Sequence, residues 1–229
     1  MTAALIWDVD GTLSETEETH RAAFNAAFAE VGLDWHWDRA IYRRLLHVTG
    51  GKERIGAYAA ETGTALDDDT ISHIHLDKTR RYGKMVESGQ APLRPGVAPL
   101  IEAARRAGLR QAIATTTSRP NVDALIAASL GRPAAEVFDV IAAGDEVAAK
   151  KPAPDVYLLA LERLGLPAGD CIALEDSLPG LAAARAAGLR VLVTPSAYTD
   201  DGDFGMADWV LDDLTGPLPP PLAGILARA

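Results

Sequence analysis

The chain has 229 residues, 48% of them hydrophobic, with a formal net charge of -10 and a pI near 4.9. That balance excludes nucleic acid and anionic membrane surfaces as general partners, while a small anion can still be held by local positive charge. A single cysteine, Cys171, excludes an internal disulfide and a cysteine-rich zinc site and fits a reducing compartment.

Met1-Thr2-Ala3-Ala4 enters a strand without a leader pattern, and no apolar run reaches the ~18 residues of a membrane helix. A soluble, cytoplasmic monomer with two unequal domains is expected. The apolar run Ala4 to Trp7 reads as a strand, followed by Asp8-Val9-Asp10-Gly11-Thr12, two carboxylates and a sharp turn at a strand end. A helical pattern follows through His20, Phe24, Ala27, Phe28 and Val31, with Gly32 as its stop. Asp38 to Leu46 and Lys52 to Glu61 read as short helices, and Ile71, Ile74, Lys78, Tyr82 and Met85 mark a longer one. An insertion of roughly seventy-five residues between neighbouring strands is better read as a small domain than as a loop. The Pro and Gly punctuation from Ser88 to Gly96 then returns the chain to the first domain.

Beyond this linker, helices and strands alternate. Helices are expected at Val97 to Ala107, Asn121 to Leu130, Pro154 to Leu164 and Leu178 to Ala187. Strands are expected at Gln111 to Thr115, Val140 to Ala143, Cys171 to Leu174, Arg190 to Val193 and Trp209 to Leu211, before a Pro-rich C-terminus. These strands are short apolar runs without strict alternation, as in a parallel sheet covered on both faces. The fold class is therefore α/β: a doubly wound, Rossmann-like parallel sheet over residues 1–13 and 93–229, with an inserted helical domain over 14–92.

Four polar sites follow successive strands and so share one sheet edge. Asp8 and Asp10 would repel each other unless a hard cation such as Mg²⁺ or a shared proton separates them; the alternative is an ordinary strand-to-turn junction. Thr115-Thr116-Thr117-Ser118 offers hydroxyls and backbone N–H groups to phosphate, or Ser118 simply caps a helix. Lys150-Lys151-Pro152 sets a cation at a helix start, where an anionic partner or plain solvation would account for it. Glu175 and Asp176, with Ser177, either cap the next helix or complete an oxygen-rich metal site.

Taken in order, Asp8-Val9-Asp10-Gly11-Thr12, Thr115, Lys151-Pro152 and Glu175-Asp176 resemble the motifs of the haloacid dehalogenase-like phosphohydrolases. The resemblance spans nearly the whole chain and implies that the insertion is a helical cap. It implies Asp8 as nucleophile, Asp10 as general acid/base, and Thr115 and Lys151 as holders of the transferring phosphate; lysine directly before proline favours Lys151 over Lys150. It further implies Mg²⁺ bound by Asp8, the Asp10 carbonyl and Asp176, with Glu175 orienting metal-bound water. The pKa of Asp10 is expected to rise beside the other carboxylates.

Within the insertion, Glu17 and His20 lie one helical turn apart near the hinge, and Gly50-Gly51-Lys52-Glu53-Arg54 sets a turn and two cations at a helix start. Each pattern is also compatible with solvated surface charge. With Tyr42 and Gly11 they form the expected substrate-binding set, alongside Thr115 to Ser118 and Lys151. This cap looks most like the CbbY-like branch, which implies a phosphorylated sugar, best matched by xylulose 1,5-bisphosphate, as the small-molecule partner. The alternatives are a β-phosphoglucomutase-type mutase, a phosphoglycolate phosphatase, a receiver-type signalling module and a catalytically silent interaction protein; the insertion straight after strand one argues against the receiver.

Overall fold

The protein is described by a computed structural model over residues 2–226. β1 (Ala4–Trp7) leads into four helices, α1 (Glu17–Glu30), α2 (Arg39–Leu45), α3 (Gly51–Thr62) and α4 (Asp68–Glu87). The remaining elements alternate: α5 (Val97–Arg106), β2 (Arg110–Ala114), α6 (Arg119–Leu130), α7 (Ala134–Val137), β3 (Val140–Ala142), α8 (Asp155–Leu164), β4 (Cys171–Glu175), α9 (Leu178–Ala186), β5 (Arg190–Val193) and β6 (Trp209–Val210), ending in α10 (Pro220–Leu226). None of the described helices is long and apolar enough to cross a membrane.

All six strands are parallel, in the order β3-β2-β1-β4-β5-β6. The chain therefore winds outward from β1 through β2 to β3, then crosses to β4 on the other side of β1. This reversal opens a crevice at the carboxyl ends of the central strands. Side chains alternate across the sheet. Leu5 and Trp7 pack with Ile113, Leu174 and helices α5 and α6, whereas Ala4 and Ile6 pack with Ala112, Ala173 and helices α8 and α9. Burial on both faces explains why the strands read as unbroken apolar runs.

The insertion has its own core, in which Phe24, Phe28, Trp37, Tyr42, Ile55 and Ile74 are buried together. One member of that cluster, Tyr198, comes from the loop after β5. Two short helices escape the sequence pattern: α7 is a single turn, too short to show a period, and α10 opens on Pro220 inside the expected Pro-rich tail. Proline is tolerated there because the first turn of a helix leaves its N–H groups unbonded.

Candidate active site

Register brings the acidic residues together. Trp7 pairs with Leu174 and Ile113, and the Asp8 N–H donates to the Leu174 carbonyl at 3.0 Å. Asp8 thus emerges beside Glu175, the last residue of β4 rather than the first after it. Carboxylate oxygens of Asp8, Glu175 and Asp176 all lie within 4.8 Å of one another, and all three residues are buried. Gly11 (φ 83°) permits this approach, since a Cβ there would sit 2.1 Å from Asp176 Oδ2; its carbonyl accepts from Arg94.

The neighbouring lysines have different partners, and Lys151 is the one that meets the acidic residues. Its Nζ donates to Asp8 Oδ1 and Glu175 Oε1, each at 2.6 Å, while Lys150 reaches the Gly144 carbonyl. The Tyr157 hydroxyl also donates to Glu175 Oε1, at 2.6 Å. Burial alone would lower the Lys151 pKa, but Asp8 and Glu175 outweigh it and hold the ammonium above the usual lysine range. Burial pushes Asp8 up to about 7 against the pull of Lys151, and Asp176 is raised by burial, then by Asp8 and Glu175. Three buried carboxylates with one ammonium leave uncompensated negative charge. An all-oxygen donor set of that charge fits a hard divalent cation such as Mg²⁺.

Asp10 departs from expectation. Its Oδ1 accepts from the Thr16 hydroxyl at 2.6 Å and from His20 Nε2 at 2.8 Å. Burial pushes its pKa upward, but His20, Thr16 and Lys78 outweigh burial, so the carboxyl lies below the ordinary aspartate range. The expected rise fails because these partners on the insertion dominate over the acidic neighbours. Thr16 precedes α1 without capping it, its hydroxyl being committed to Asp10. Lys78 Nζ lies 2.7 Å from His20 Nδ1. When Lys78 carries its proton it donates to Nδ1, and the ring proton then sits on Nε2, facing Asp10. Burial, opposed by Asp10 and Glu17 and assisted by Arg54, brings Lys78 down to about 7.

A cavity of about 1030 Å³ between sheet edge and insertion connects these groups. On the sheet side it is lined by Asp8, Asp10, Lys151, Asp176 and Thr115 to Ser118. Thr115 Oγ1 accepts from the Thr117 N–H at 3.2 Å. Ser118 stands at the N-cap of α6 yet makes no side-chain cap bond; its buried Oγ has no protein partner. The capping alternative is thereby removed for Ser118, although Ser177 does cap α9 by accepting from the Gly180 N–H. On the insertion side the wall includes Glu17, His20, Gly50, Gly51, Lys52, Glu53 and Arg54.

Two expected substrate contacts lie outside that wall. Tyr42 is fully buried behind it, donating to Glu17 Oε2 at 2.7 Å and accepting from Arg54 Nη1 at 3.1 Å. It supports the lining because it belongs to the aromatic core of the insertion. Gly11 serves the turn and the approach of Asp176, not the cavity surface. Sequence reasoning missed Thr16 and Lys78 as site residues. Lys78 carried a signal: a cation on the otherwise apolar stripe Ile71, Ile74, Tyr82.

The family model for haloacid dehalogenase-like hydrolases matches residues 2–188. Protein CbbY of Rhodobacter capsulatus is 60% identical over 212 residues, covering 93% of this chain and 93% of its own. A crystal structure of CbbY from Rhodobacter sphaeroides, a D10N mutant in complex with xylulose-(1,5)bisphosphate, matches with a TM-score of 0.89 at 53% identity, over 93% of this chain and 95% of that one. A putative β-phosphoglucomutase from Thermotoga maritima, 24% identical with a TM-score of 0.68 over 99% of this chain and 97% of that one, shares the fold alone.

Proposed function

This chain belongs to the haloacid dehalogenase-like hydrolase family and is a phosphatase, and we propose that its substrate is a sugar bisphosphate, xylulose 1,5-bisphosphate, hydrolysed through a phosphorylated Asp8. The observation that carries this reading is one cavity lined by cations from both sides: Lys151, beside Asp8, on the sheet side, and Lys52 and Arg54 on the insertion side. The similar CbbY of Rhodobacter sphaeroides holds that bisphosphate. In this reading residues 14–92 act as a cap over the core formed by 1–13 and 93–229.

Each chemical step has a residue suited to it. An Asp8 oxygen bonds to phosphorus as the bond from phosphorus to the sugar oxygen breaks, and that oxygen takes a proton from Asp10. Asp10 obtains this proton through His20, whose other nitrogen faces Lys78. Lys151, Thr115 and the unpartnered Ser118 hydroxyl hold the phosphoryl oxygens. Asp10 then removes a proton from the attacking water, the bond between phosphorus and Asp8 breaks, and inorganic phosphate leaves. Asp8, Asp176 and the Asp10 carbonyl, with Glu175 behind them, would hold Mg²⁺, which would supply further counter-charge when bound. Glu17 and the cap cations select the sugar and its distal phosphate, and the missing Cβ atoms of Gly50 and Gly51 admit the side chains of Glu53 and His75 to that wall.

Lys52→Ala tests the role of the insertion-side cations. A lost charge-assisted hydrogen bond of about 1.5–3 kcal/mol corresponds to a rise in KM of roughly 10- to 100-fold. That rise is expected for xylulose 1,5-bisphosphate and not for a small aryl phosphate. Equal effects on both substrates in steady-state assays would remove the distal-phosphate role. The mutase and phosphoglycolate alternatives have only the shared fold on their side.

A further inference from the structure

The loop after β5 touches both the acidic cradle and the insertion through two adjacent residues. The Thr199 hydroxyl lies 2.7 Å from the Asp176 carbonyl oxygen and 3.3 Å from Asp176 Oδ2. That hydroxyl is itself fixed, accepting from the Ser196 N–H at 2.9 Å, while the Thr199 N–H donates to the Ser196 carbonyl at 3.0 Å. The loop is anchored from behind by Arg94, which donates to the carbonyls of Thr194 at 2.6 Å and Pro195 at 2.8 Å. One residue before Thr199, the Tyr198 ring enters the core of the insertion and meets Tyr42 edge-on, with centroids 5.8 Å apart and planes at 89°. Its hydroxyl donates to Glu18 of α1. Arg43 of α2 reinforces the junction, bonding to Asp200 at 2.9 Å and to the Ala197 carbonyl at 2.6 Å.

From this geometry we infer that Thr199 is a positioning residue for Asp176 and that Tyr198 ties its position to the cap, so that cap docking and metal binding are coupled. The physical reason is the shortness and rigidity of the connection. Tyr198 and Thr199 share one peptide unit within a hydrogen-bonded turn, so a cap movement that pulls Tyr198 also displaces the hydroxyl holding Asp176. On the other side, Tyr198 abuts Tyr42, whose hydroxyl holds both Glu17 and Arg54 in the insertion-side wall of the cavity. Coupling of this kind is reciprocal: a ligand that seats the cap strengthens metal binding by the factor with which the metal strengthens the ligand.

The inference rests on the metal and bisphosphate reading above, and calorimetric Mg²⁺ titration of the chelator-stripped full chain separates the two. Thr199→Val is expected to weaken Mg²⁺ binding by about 10- to 100-fold, the usual consequence of losing an outer partner of a metal ligand. Thr199→Ser keeps the hydroxyl and should restore affinity, which separates a lost bond from a damaged fold. In an Asp10→Asn background, xylulose 1,5-bisphosphate should tighten Mg²⁺ more than inorganic phosphate does, because inorganic phosphate fills only the sheet side. Tyr198→Leu should remove that excess while leaving the effect of inorganic phosphate in place. Thr199→Val binding Mg²⁺ like the parent, or an excess that survives Tyr198→Leu, overturns the inference alone. Failure of the parent protein to bind Mg²⁺ overturns the metal reading as well.

Discussion

Asp8→Asn is expected to lower kcat by roughly 10⁴-fold or more and to abolish phosphorylation of the protein, the scale on which removal of a nucleophile acts. The amide is nearly isosteric with the carboxylate but is not a competent nucleophile toward phosphorus. Asp8 is also the residue on which the Lys151 ammonium and the cluster of Glu175 and Asp176 converge. Asp10→Asn should behave differently. Its contacts run to Thr16 and His20, so the variant should keep substrate binding while losing proton transfer, worth about 10²–10⁴-fold in rate. Steady-state rates paired with equilibrium binding distinguish the two, and full activity in either variant would sink the division of roles.

Lys151→Met carries the second large effect, because it acts on stability and rate together. The ammonium is the shared hydrogen-bond donor between Asp8 and Glu175, and all three side chains are nearly inaccessible to solvent. Removing one partner of a buried ion pair leaves the other charges uncompensated, which costs about 3–5 kcal/mol. Denaturant melts of metal-free protein should show a loss of that order. Turnover should fall by at least about 10²–10³-fold, since the variant loses the donor proposed to hold the phosphoryl oxygens. Lys150→Met should do far less, because Lys150 bonds only a backbone carbonyl among these groups. Comparable losses in the two variants would show that the ammonium assignment is wrong.

The sheet and its acidic edge were legible in the sequence because each motif is a short local pattern at the end of an apolar run. Asp8, Thr115, Lys151, Glu175 and Asp176 needed only the parallel alternation of strands and helices to be gathered on one edge. Contacts between side chains distant in sequence were not legible. Lys78 meets His20 across 58 residues of sequence, and Thr199 reaches back 23 residues to Asp176. Neither spacing has a local signature. The lowered Asp10 pKa followed the same pattern: the acidic neighbours and the nearness of His20 to the hinge could be read from the sequence, the Thr16 and Lys78 partners on the insertion could not. Tyr42 stood at a helical position compatible with either the cavity or the core, and packing against Phe24 and Trp37 decided for the core.

The central claim, that the cavity delivers a sugar bisphosphate to Asp8 for hydrolysis, is tested most directly by incubating the protein and Mg²⁺ with a panel of sugar phosphates. Free phosphate and isomerised sugar phosphate are scored separately. The expected result is release of inorganic phosphate from xylulose 1,5-bisphosphate, in preference to monophosphates and phosphoglycolate. Conversion of β-glucose 1-phosphate to glucose 6-phosphate without phosphate release would contradict it.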